Sequence, residues 1–168
     1  PTDPNVAYAM TSSYESERPI GIFKTENGGS NWRAVNKGLD LNTRDLQIDP
    51  VYPETLYAAT GSGVYKTTDG AASWTLISEG LPTSGSGSVQ EKLLLSTIGS
   101  DDRGGIWDLA INPLNPLQIY AATNKGVYKT KDGGEYWYAV NFGLPLSEGN
   151  PFWHDRVLEI DATGTVLY

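Results

Sequence analysis

The side chains best suited to chemistry in this sequence stand together in the segment Phe152-Trp153-His154-Asp155-Arg156. A tryptophan beside hydrogen-bonding groups is how proteins stack on a sugar ring while they bind its hydroxyls. The alternative is structural: Trp153 packs over a junction between sheets and Arg156 pairs with Asp155. We take the segment as a candidate ligand-binding site, with Asp155 also a weak catalytic candidate.

A second group of polar residues begins at Asp101-Asp102-Arg103 and continues to Trp107. Paired carboxylates can act as acid and base, or they can bind calcium together with backbone oxygens. Side chains of adjacent residues usually diverge, so a solvated acidic turn is the alternative. We keep Asp101 and Asp102 as weak catalytic candidates, and Arg103 and Trp107 as candidates for ligand binding.

Composition argues against several classes of function. His154 is the only histidine and cysteine is absent, so a histidine-based metal site, a catalytic triad and thiol chemistry are disfavoured, and we expect no metal and no cofactor. The net charge of −8 repels phosphate backbones and anionic lipid, and no apolar run is long enough to cross a bilayer. We therefore expect neither a nucleic acid nor a membrane as partner. The lack of cysteine favours a bacterial or archaeal source.

The elements that must position these candidates come from an internal repeat. The sequence YAATGSGVYKTTDGAASW at 57–74 returns as YAATNKGVYKTKDGGEYW at 120–137, with 12 of 18 positions identical. A looser copy, GIFKTENGGSNW, occupies 21–32. Periods of about 40 residues are typical of repeat architectures such as β-propellers.

Each repeat predicts four short strands. Alternation at period two and turns rich in proline and glycine mark their bounds. The predicted strands are 45–49, 107–112 and 157–161 innermost, then 55–60 and 118–123, then 63–67 and 126–130, and finally 73–77 and 136–141. The sequence therefore predicts an all-β chain of about three four-stranded antiparallel propeller blades.

The turn between the third and fourth strands resembles the Asp box, Ser/Thr-x-Asp-x-Gly-x-Thr-Trp or its Asp-Gly-Gly variant. The matching residues are Thr25, Asn27, Gly28 and Trp32; Thr67, Asp69, Gly70 and Trp74; and Thr130, Asp132, Gly133 and Trp137. The first copy departs from the pattern because asparagine replaces the aspartate. The chain resembles the blades of sortilin-like repeats, photosystem assembly factors and family 74 glycoside hydrolases.

We expect the box residues to be architectural. The aspartate and threonine side chains can hydrogen-bond to the backbone of the turn, and the glycines allow its conformation. The tryptophan would then cover apolar surface between neighbouring sheets. The repeated motif therefore predicts a structural scaffold. We expect functional residues to lie in the loops that this scaffold carries.

The predicted domain organisation is one propeller segment over residues 1–168. Blade 1 spans about 1–36, blade 2 about 45–78, an insertion 83–104, blade 3 about 107–141, and a fourth blade starts at about 157. Propellers close with four to eight blades, so we expect either further blades of the same propeller or a second copy of the chain as partner. Ends inside blades favour excision from a longer protein.

Three classes of function remain open: an enzyme, a binding module and a structural part. The resemblance to family 74 glycoside hydrolases implies an endo-glucanase or xyloglucanase, with a catalytic aspartate directly after the second strand. The matching positions here are Ser12, Gly61 and Asn124, and none is acidic. A sialidase would need clustered arginines, and the five arginines are scattered. We therefore expect a non-catalytic segment of a secreted or cell-surface protein that binds a polysaccharide or protein, or serves as a scaffold.

Overall fold

The computed structural model describes residues 3–11, 20–82, 105–144, 158–164 and 166–167, and in this part of the chain all regular structure is β-strand. No helix in these ranges is long and apolar enough to cross a membrane. The strands are arranged in consecutive antiparallel sheets, so the predicted all-β class is confirmed.

Two sheets have four strands each. From the inside outward, blade 2 contains strands β4 (Thr43–Ile48), β5 (Leu56–Thr60), β6 (Val64–Thr67) and β7 (Thr75–Leu76). Blade 3 contains β8 (Ile106–Ile111), β9 (Ile119–Thr123), β10 (Gly126–Thr130) and β11 (Tyr138–Ala139). Each strand pairs with the next one in the chain, as expected for a propeller blade.

The flanking sheets are smaller. Blade 1 contains β1 (Ala7–Thr11), β2 (Gly21–Thr25) and β3 (Arg33–Ala34), which correspond to the second, third and fourth strands of the other blades. Strands β12 (Glu159–Ile160) and β13 (Val166–Leu167) pair with each other and begin a fourth unit. The outermost strands are shorter than predicted, two residues each.

The core lies between sheets. Strands β5 and β9 are buried at every residue, because sheets pack on both of their faces. One apolar cluster joins blades 1 and 2, a second joins blades 2 and 3, and a third joins blade 3 to the fourth unit. The alanines of the repeated Tyr-Ala-Ala-Thr strand are small enough to let neighbouring sheets approach closely.

The turn after each innermost strand is fixed by one polar side chain. Asp49 Oδ1 accepts hydrogen bonds from the N–H groups of Val51 and Tyr52 at 2.8 and 2.9 Å. Asn112 holds the equivalent turn of blade 3 by accepting from Leu114 N. Asparagine and aspartate favour such turns because their short side chains reach the backbone two residues ahead. In each of these two blades, a residue within the turn itself therefore fixes the turn conformation.

Candidate functional site

Most of the predicted ligand-binding residues lie beyond the region that can be described. Trp107 lies on β8, the innermost strand of blade 3, and is half-buried. The candidates Asp101, Asp102, Arg103, Phe152, Trp153, His154, Asp155 and Arg156 lie outside the described residues. Their roles in ligand binding or catalysis therefore stay predictions.

Trp107 belongs to a bulge that recurs on both complete innermost strands. The register shifts between Thr43 and Asp45 on β4, and between Ile106 and Asp108 on β8. The extra residues are Arg44 and Trp107. A bulge bends the strand and redirects the side chain of the extra residue, and bulges are frequent beside functional sites.

The two bulge side chains stack on each other across the junction of blades 2 and 3. The guanidinium carbon of Arg44 lies 3.8 Å from the centroid of the Trp107 ring, close enough for a cation–π interaction. A Cβ atom added to Gly105 would lie 2.5 Å from Arg44 Nη1, so the glycine leaves room for the guanidinium. One face of the indole is therefore already covered by protein.

Two carboxylates follow the bulges and bond to the next blade. Asp45 Oδ2 accepts a hydrogen bond from Leu109 N of blade 3 at 3.0 Å, and also one from its neighbour Gln47. Asp108 Oδ2 accepts a short hydrogen bond from Leu158 N, in the fourth unit. Each carboxylate thus joins its own innermost strand to the backbone of the following one.

Burial in this junction alters the acidity of Asp108. Burial raises the pKa of Asp108 to about 6, the hydrogen bond from Leu158 N opposes the rise, and the negative charge of Asp45 adds to it. A carboxyl group with a raised pKa beside a second carboxylate is a pattern found in acid–base catalysis. The same pattern also arises in structural pairs.

The raised pKa of Asp108 predicts a pH-dependent effect of Asp108→Asn. The unfolded chain ionises this carboxyl near pH 4 and the folded chain only near pH 6, so ionisation costs stability as the pH rises through this window. Since the group is partly solvated, we expect Asp108→Asn to raise the free energy of unfolding by on the order of 1 kcal/mol at about pH 7. Urea titrations should show little difference at about pH 4.

Asp69 provides a control of the opposite sign. The hydroxyls of Thr67 and Ser73 and the N–H of Ser73 lower the pKa of Asp69 to about 2. The stability that this carboxylate contributes is therefore present above about pH 4 and is lost as the pH falls toward 2. Asp69→Asn should destabilise the protein at neutral pH, and equal responses of the two variants would contradict both assignments.

Asp69 is the centre of a closed hydrogen-bonded turn. The Thr67 hydroxyl donates to Asp69 Oδ1 at 2.6 Å and accepts from Ala71 N at 3.1 Å. Asp69 in turn accepts from the N–H and hydroxyl of Ser73 at 3.0 and 2.7 Å. Gly70 has a φ of +65°, a conformation that glycine adopts without strain. These contacts stay within the turn, so they position the following tryptophan.

The other two copies of the turn have the same geometry. In blade 3, the Thr130 hydroxyl donates to Asp132 Oδ1 at 2.6 Å and accepts from Gly134 N. The hydrogen bond from Thr130 lowers the pKa of Asp132. In blade 1 the Asn27 amide oxygen takes the place of the carboxylate oxygen, accepting from Thr25 at 3.0 Å and from Asn31 N at 2.9 Å. Gly28 and Gly133 adopt φ values of +65° and +72°.

The tryptophan after each turn makes the junction to the preceding blade. Trp74 Nε1 donates to Val35 O at 2.8 Å, and its backbone N–H donates to Lys37 O at 2.9 Å. Trp137 makes the same two contacts to Ile77 O and Glu79 O of blade 2, at 2.8 and 2.9 Å. Both indoles are buried, as the sequence predicts.

Trp32 differs from the other two tryptophans. Its side chain is 45% exposed, against 5% for Trp74 and 0% for Trp137. Among the described residues no sheet precedes blade 1, so the surface that this indole would cover is not supplied there. The expectation that every motif tryptophan is buried between sheets is thus wrong for Trp32.

A glycine completes each of these two junctions, and a lysine adds a contact at the junction of blades 2 and 3. Gly38 and Gly80 lie beneath the backbones of Trp74 and Trp137, where an added Cβ atom would meet the tryptophan carbonyl oxygen at 2.5 and 2.1 Å. Lys66 Nζ donates to Gly133 O of blade 3 at 3.0 Å. These residues give no chemical signal in a single repeat, but the glycines recur six residues after each motif tryptophan and the lysines eight residues before it, and this regularity could have identified them.

Arg44, Asp45 and Asp108 were missed at the sequence level. Asp45 and Asp108 lie on strands predicted from alternation alone and Arg44 directly precedes one of them, and a bulge changes which face a side chain occupies without altering composition. The spacing of 63 residues between Asp45 and Asp108, equal to that between Trp74 and Trp137, was the available signal.

The fold is similar to parts of solved propeller enzymes. The GH74 enzyme from Niastella koreensis superposes with a TM-score of 0.66 at 18% identity, over 98% of this chain and 24% of that one. The GH74 xyloglucanase from Xanthomonas campestris gives 0.59 at 18% identity, over 86% and 23%. An ancestral GH74 enzyme gives 0.52 at 20% identity, over 82% and 17%.

These likenesses extend to the fold. No protein-family model matches the sequence, and no curated protein matches it. The chain spans about a quarter or less of the length of the solved structures named above. At this level of identity the backbone arrangement is what is shared. The chain is therefore made of β-propeller blades like those found within GH74 enzymes.

Proposed function

We propose that this chain is a non-catalytic propeller segment of a secreted or cell-surface protein, where it binds a polysaccharide or a protein or acts as a scaffold. The proposal rests on the hydrogen bonds that occupy the carboxylates of the innermost strands. Asp45 and Asp108 accept hydrogen bonds from the backbone of the following strand. Groups that join blades in this way are committed to holding the scaffold together.

The turns after the second strands support the same conclusion. Strands β5 and β9 end at Thr60 and Thr123, and the next residues are Gly61 and Asn124. The resemblance to family 74 hydrolases leads us to expect an acidic residue at such a position. Neither residue can donate a proton as a general acid or activate a water as a carboxylate does.

A hydrolase of the family 74 type is the second candidate. Asp108 favours it, because burial raises the pKa of this carboxyl to about 6 and a second carboxylate lies nearby. Glycosidases use one protonated and one ionised carboxyl group on either side of the bond they cleave. Under this alternative Asp108 would be the acid, and its bond to Leu158 N would have to open for substrate.

An assay of hydrolysis separates the two candidates. We expect the whole chain to release no new reducing ends from xyloglucan or other β-glucans, since the inner-strand carboxylates Asp45 and Asp108 are both held by backbone N–H groups. Activity that disappears in Asp108→Asn, with the fold retained by circular dichroism, would establish the hydrolase instead. Activity retained in that variant would argue against Asp108 as the acid and against the non-catalytic proposal.

Retention in gels that contain the polysaccharide tests binding on the same samples. We expect a β-glucan to retard the chain and Trp153→Ala to reduce the retardation, because an indole can stack on a sugar ring. Trp32→Ala is the matched control, since it removes an exposed indole from blade 1. Equal mobility of the Trp153 variant and the unaltered chain would remove the 152–156 segment from the proposed site.

A further inference from the structure

The motif turn of blade 1 contains the only asparagine–glycine pair in the sequence, Asn27-Gly28. Such a pair is chemically labile, because the backbone nitrogen after an asparagine can attack the side-chain amide carbon, and glycine has no side chain to hinder the attack. At the equivalent positions, blades 2 and 3 have Asp69-Gly70 and Asp132-Gly133. Hydrolysis of this side-chain amide would therefore give blade 1 the same motif as the other two blades.

The reaction needs only water. The nitrogen of Gly28 forms a bond to Cγ of Asn27, the side-chain amide leaves as ammonia, and a succinimide ring closes. Water then opens the ring. Attack at Cγ restores the ordinary backbone and leaves an aspartate at position 27, whereas attack at the backbone carbonyl carbon leaves an isoaspartate, whose main chain runs through Cγ. No group is oxidised or reduced, and the net change replaces an amide by an acid.

The closed turn opposes the first step. The Oδ1 atom of Asn27 accepts hydrogen bonds from the Thr25 hydroxyl at 3.0 Å and from Asn31 N at 2.9 Å, so the side chain is not free to turn onto the Gly28 nitrogen. That nitrogen must also lose its proton, which it donates to Asn5 O at 2.9 Å. Both sets of hydrogen bonds have to open before the ring can close.

The aspartyl product fits the closed turn. In blades 2 and 3 the carboxylate accepts from the threonine hydroxyl at 2.6 Å, whereas Asn27 accepts from Thr25 at 3.0 Å. Hydrogen bonds to an ionised acceptor are shorter and stronger than those to a neutral one. A carboxylate at position 27 would therefore strengthen the contact with Thr25. An isoaspartate would add an atom to the main chain and displace Gly28 N from Asn5 O.

We propose that Asn27 is a deamidation site whose reaction is controlled by the turn that contains it. The closed turn holds the side chain as an amide. Each opening of the turn allows attack by Gly28 N, and closure afterwards accommodates the aspartyl product. Deamidation then gives the turn of blade 1 the carboxylate that the turns of blades 2 and 3 already have, so its extent records how often the turn has opened.

Peptide mapping by mass spectrometry tests the proposal on the unaltered full chain. Samples are kept in buffer and in unfolding concentrations of urea at the same slightly alkaline pH. We expect Asn27 to lose its amide about tenfold or more slowly in buffer, because a reaction of the open turn follows the open population. Asn31, which precedes a tryptophan, should react far more slowly in urea. Equal rates at Asn27 in both samples, or no reaction in urea, would overturn the proposal.

Substitution of the turn threonines tests whether control is local. Thr25→Ala removes the hydroxyl that donates to Asn27 Oδ1 and accepts from Gly29 N at 3.0 Å. We expect this change to raise the rate in buffer about tenfold, as expected for the loss of such hydrogen bonds. Thr25→Ser keeps the hydroxyl and should keep the slow rate. Thr67→Ala is the matched control in blade 2, and an equal acceleration there would contradict control by the blade 1 turn.

Asn27→Asp supplies the product directly. We expect this variant to unfold at a higher urea concentration than the unaltered chain at neutral pH. The neighbouring carboxylate of Glu26 is paired with Lys24 and Arg33 at 3.0 and 3.4 Å, which limits its repulsion of a second negative charge. A lower unfolding midpoint would show that the turn rejects the product. These measurements use no polysaccharide, so their outcome is separate from that of the proposed function.

Discussion

Gly80→Ala is expected to lower the free energy of unfolding by about 3 kcal/mol or more, whereas Gly143→Ala is expected to lower it by about 1 kcal/mol. The two glycines occupy equivalent positions, six residues after Trp74 in blade 2 and six residues after Trp137 in blade 3. Their φ values are +87° and +86°, so an alanine meets the same backbone strain at both positions. The difference between the variants therefore measures the junction alone.

The larger effect at Gly80 comes from the neighbouring blade. A Cβ atom on Gly80 would lie 2.1 Å from the carbonyl oxygen of Trp137, and relief requires the backbone of blade 3 to move. That backbone is also bonded to blade 2 through Trp137 N and Glu79 O at 2.9 Å. A methyl group at Gly143 meets no described atom within 4 Å.

Urea unfolding followed by circular dichroism measures both variants. Gly38→Ala serves as a second test, because its Cβ atom would lie 2.5 Å from the Trp74 carbonyl oxygen. It should behave like Gly80→Ala. Equal losses at Gly80 and Gly143 would mean that backbone strain dominates and that the close approach of the blades is easily relieved.

Local sequence signals were sufficient for the strands that lie inside a sheet. The predicted strand 126–130 coincides with β10, and the predicted strand 118–123 differs from β9 by one residue. Alternation and turn residues work here because each such strand pairs on both edges. The outermost strand was predicted at 136–141 and spans Tyr138–Ala139, since Trp137 N bonds to Glu79 O of blade 2 and not to β10.

The candidate site was much less accessible to sequence reasoning. Trp107 is recognisable as an aromatic residue beside polar groups, but its stacking with Arg44 depends on two bulges that lie in different blades. The pairing of Asp45 with Leu109 N likewise joins residues 64 positions apart. Contacts of this kind form only when one blade packs on the next. The repeat predicts which positions are equivalent, and the structure shows what each position touches.

The difference between local turn structure and contacts between blades explains why copies of one motif contribute differently to the stability of the protein. Thr25, Thr67 and Thr130 each close the turn in their blade, so the local structure is the same three times. The tryptophans that follow differ, because burial depends on the blade that precedes them. The contribution of a motif residue to stability is thus set by its junction and not by the motif itself.

Trp137→Ala should accordingly destabilise the protein by about 4 kcal/mol, as expected when a large aromatic side chain is removed from a core. Trp137 is fully buried among Tyr57, Val64 and other residues of blades 2 and 3. Its loss would leave a cavity and would deprive Ile77 O of the indole N–H that lies 2.8 Å away. A partly buried carbonyl group that loses its donor adds to the cost of the cavity.

Trp32→Ala is the matched control, since it removes the same side chain after the same turn. Its indole is 45% exposed, so we expect a loss below about 1 kcal/mol in dilute protein. Trp137→Phe should fall between the two, because the ring fills most of the space but cannot donate to Ile77 O. Urea titrations followed by far-ultraviolet circular dichroism would measure all three variants. If the Trp32 and Trp137 variants lost equal stability, the turns and not the junctions between blades would have to be the main source of stability.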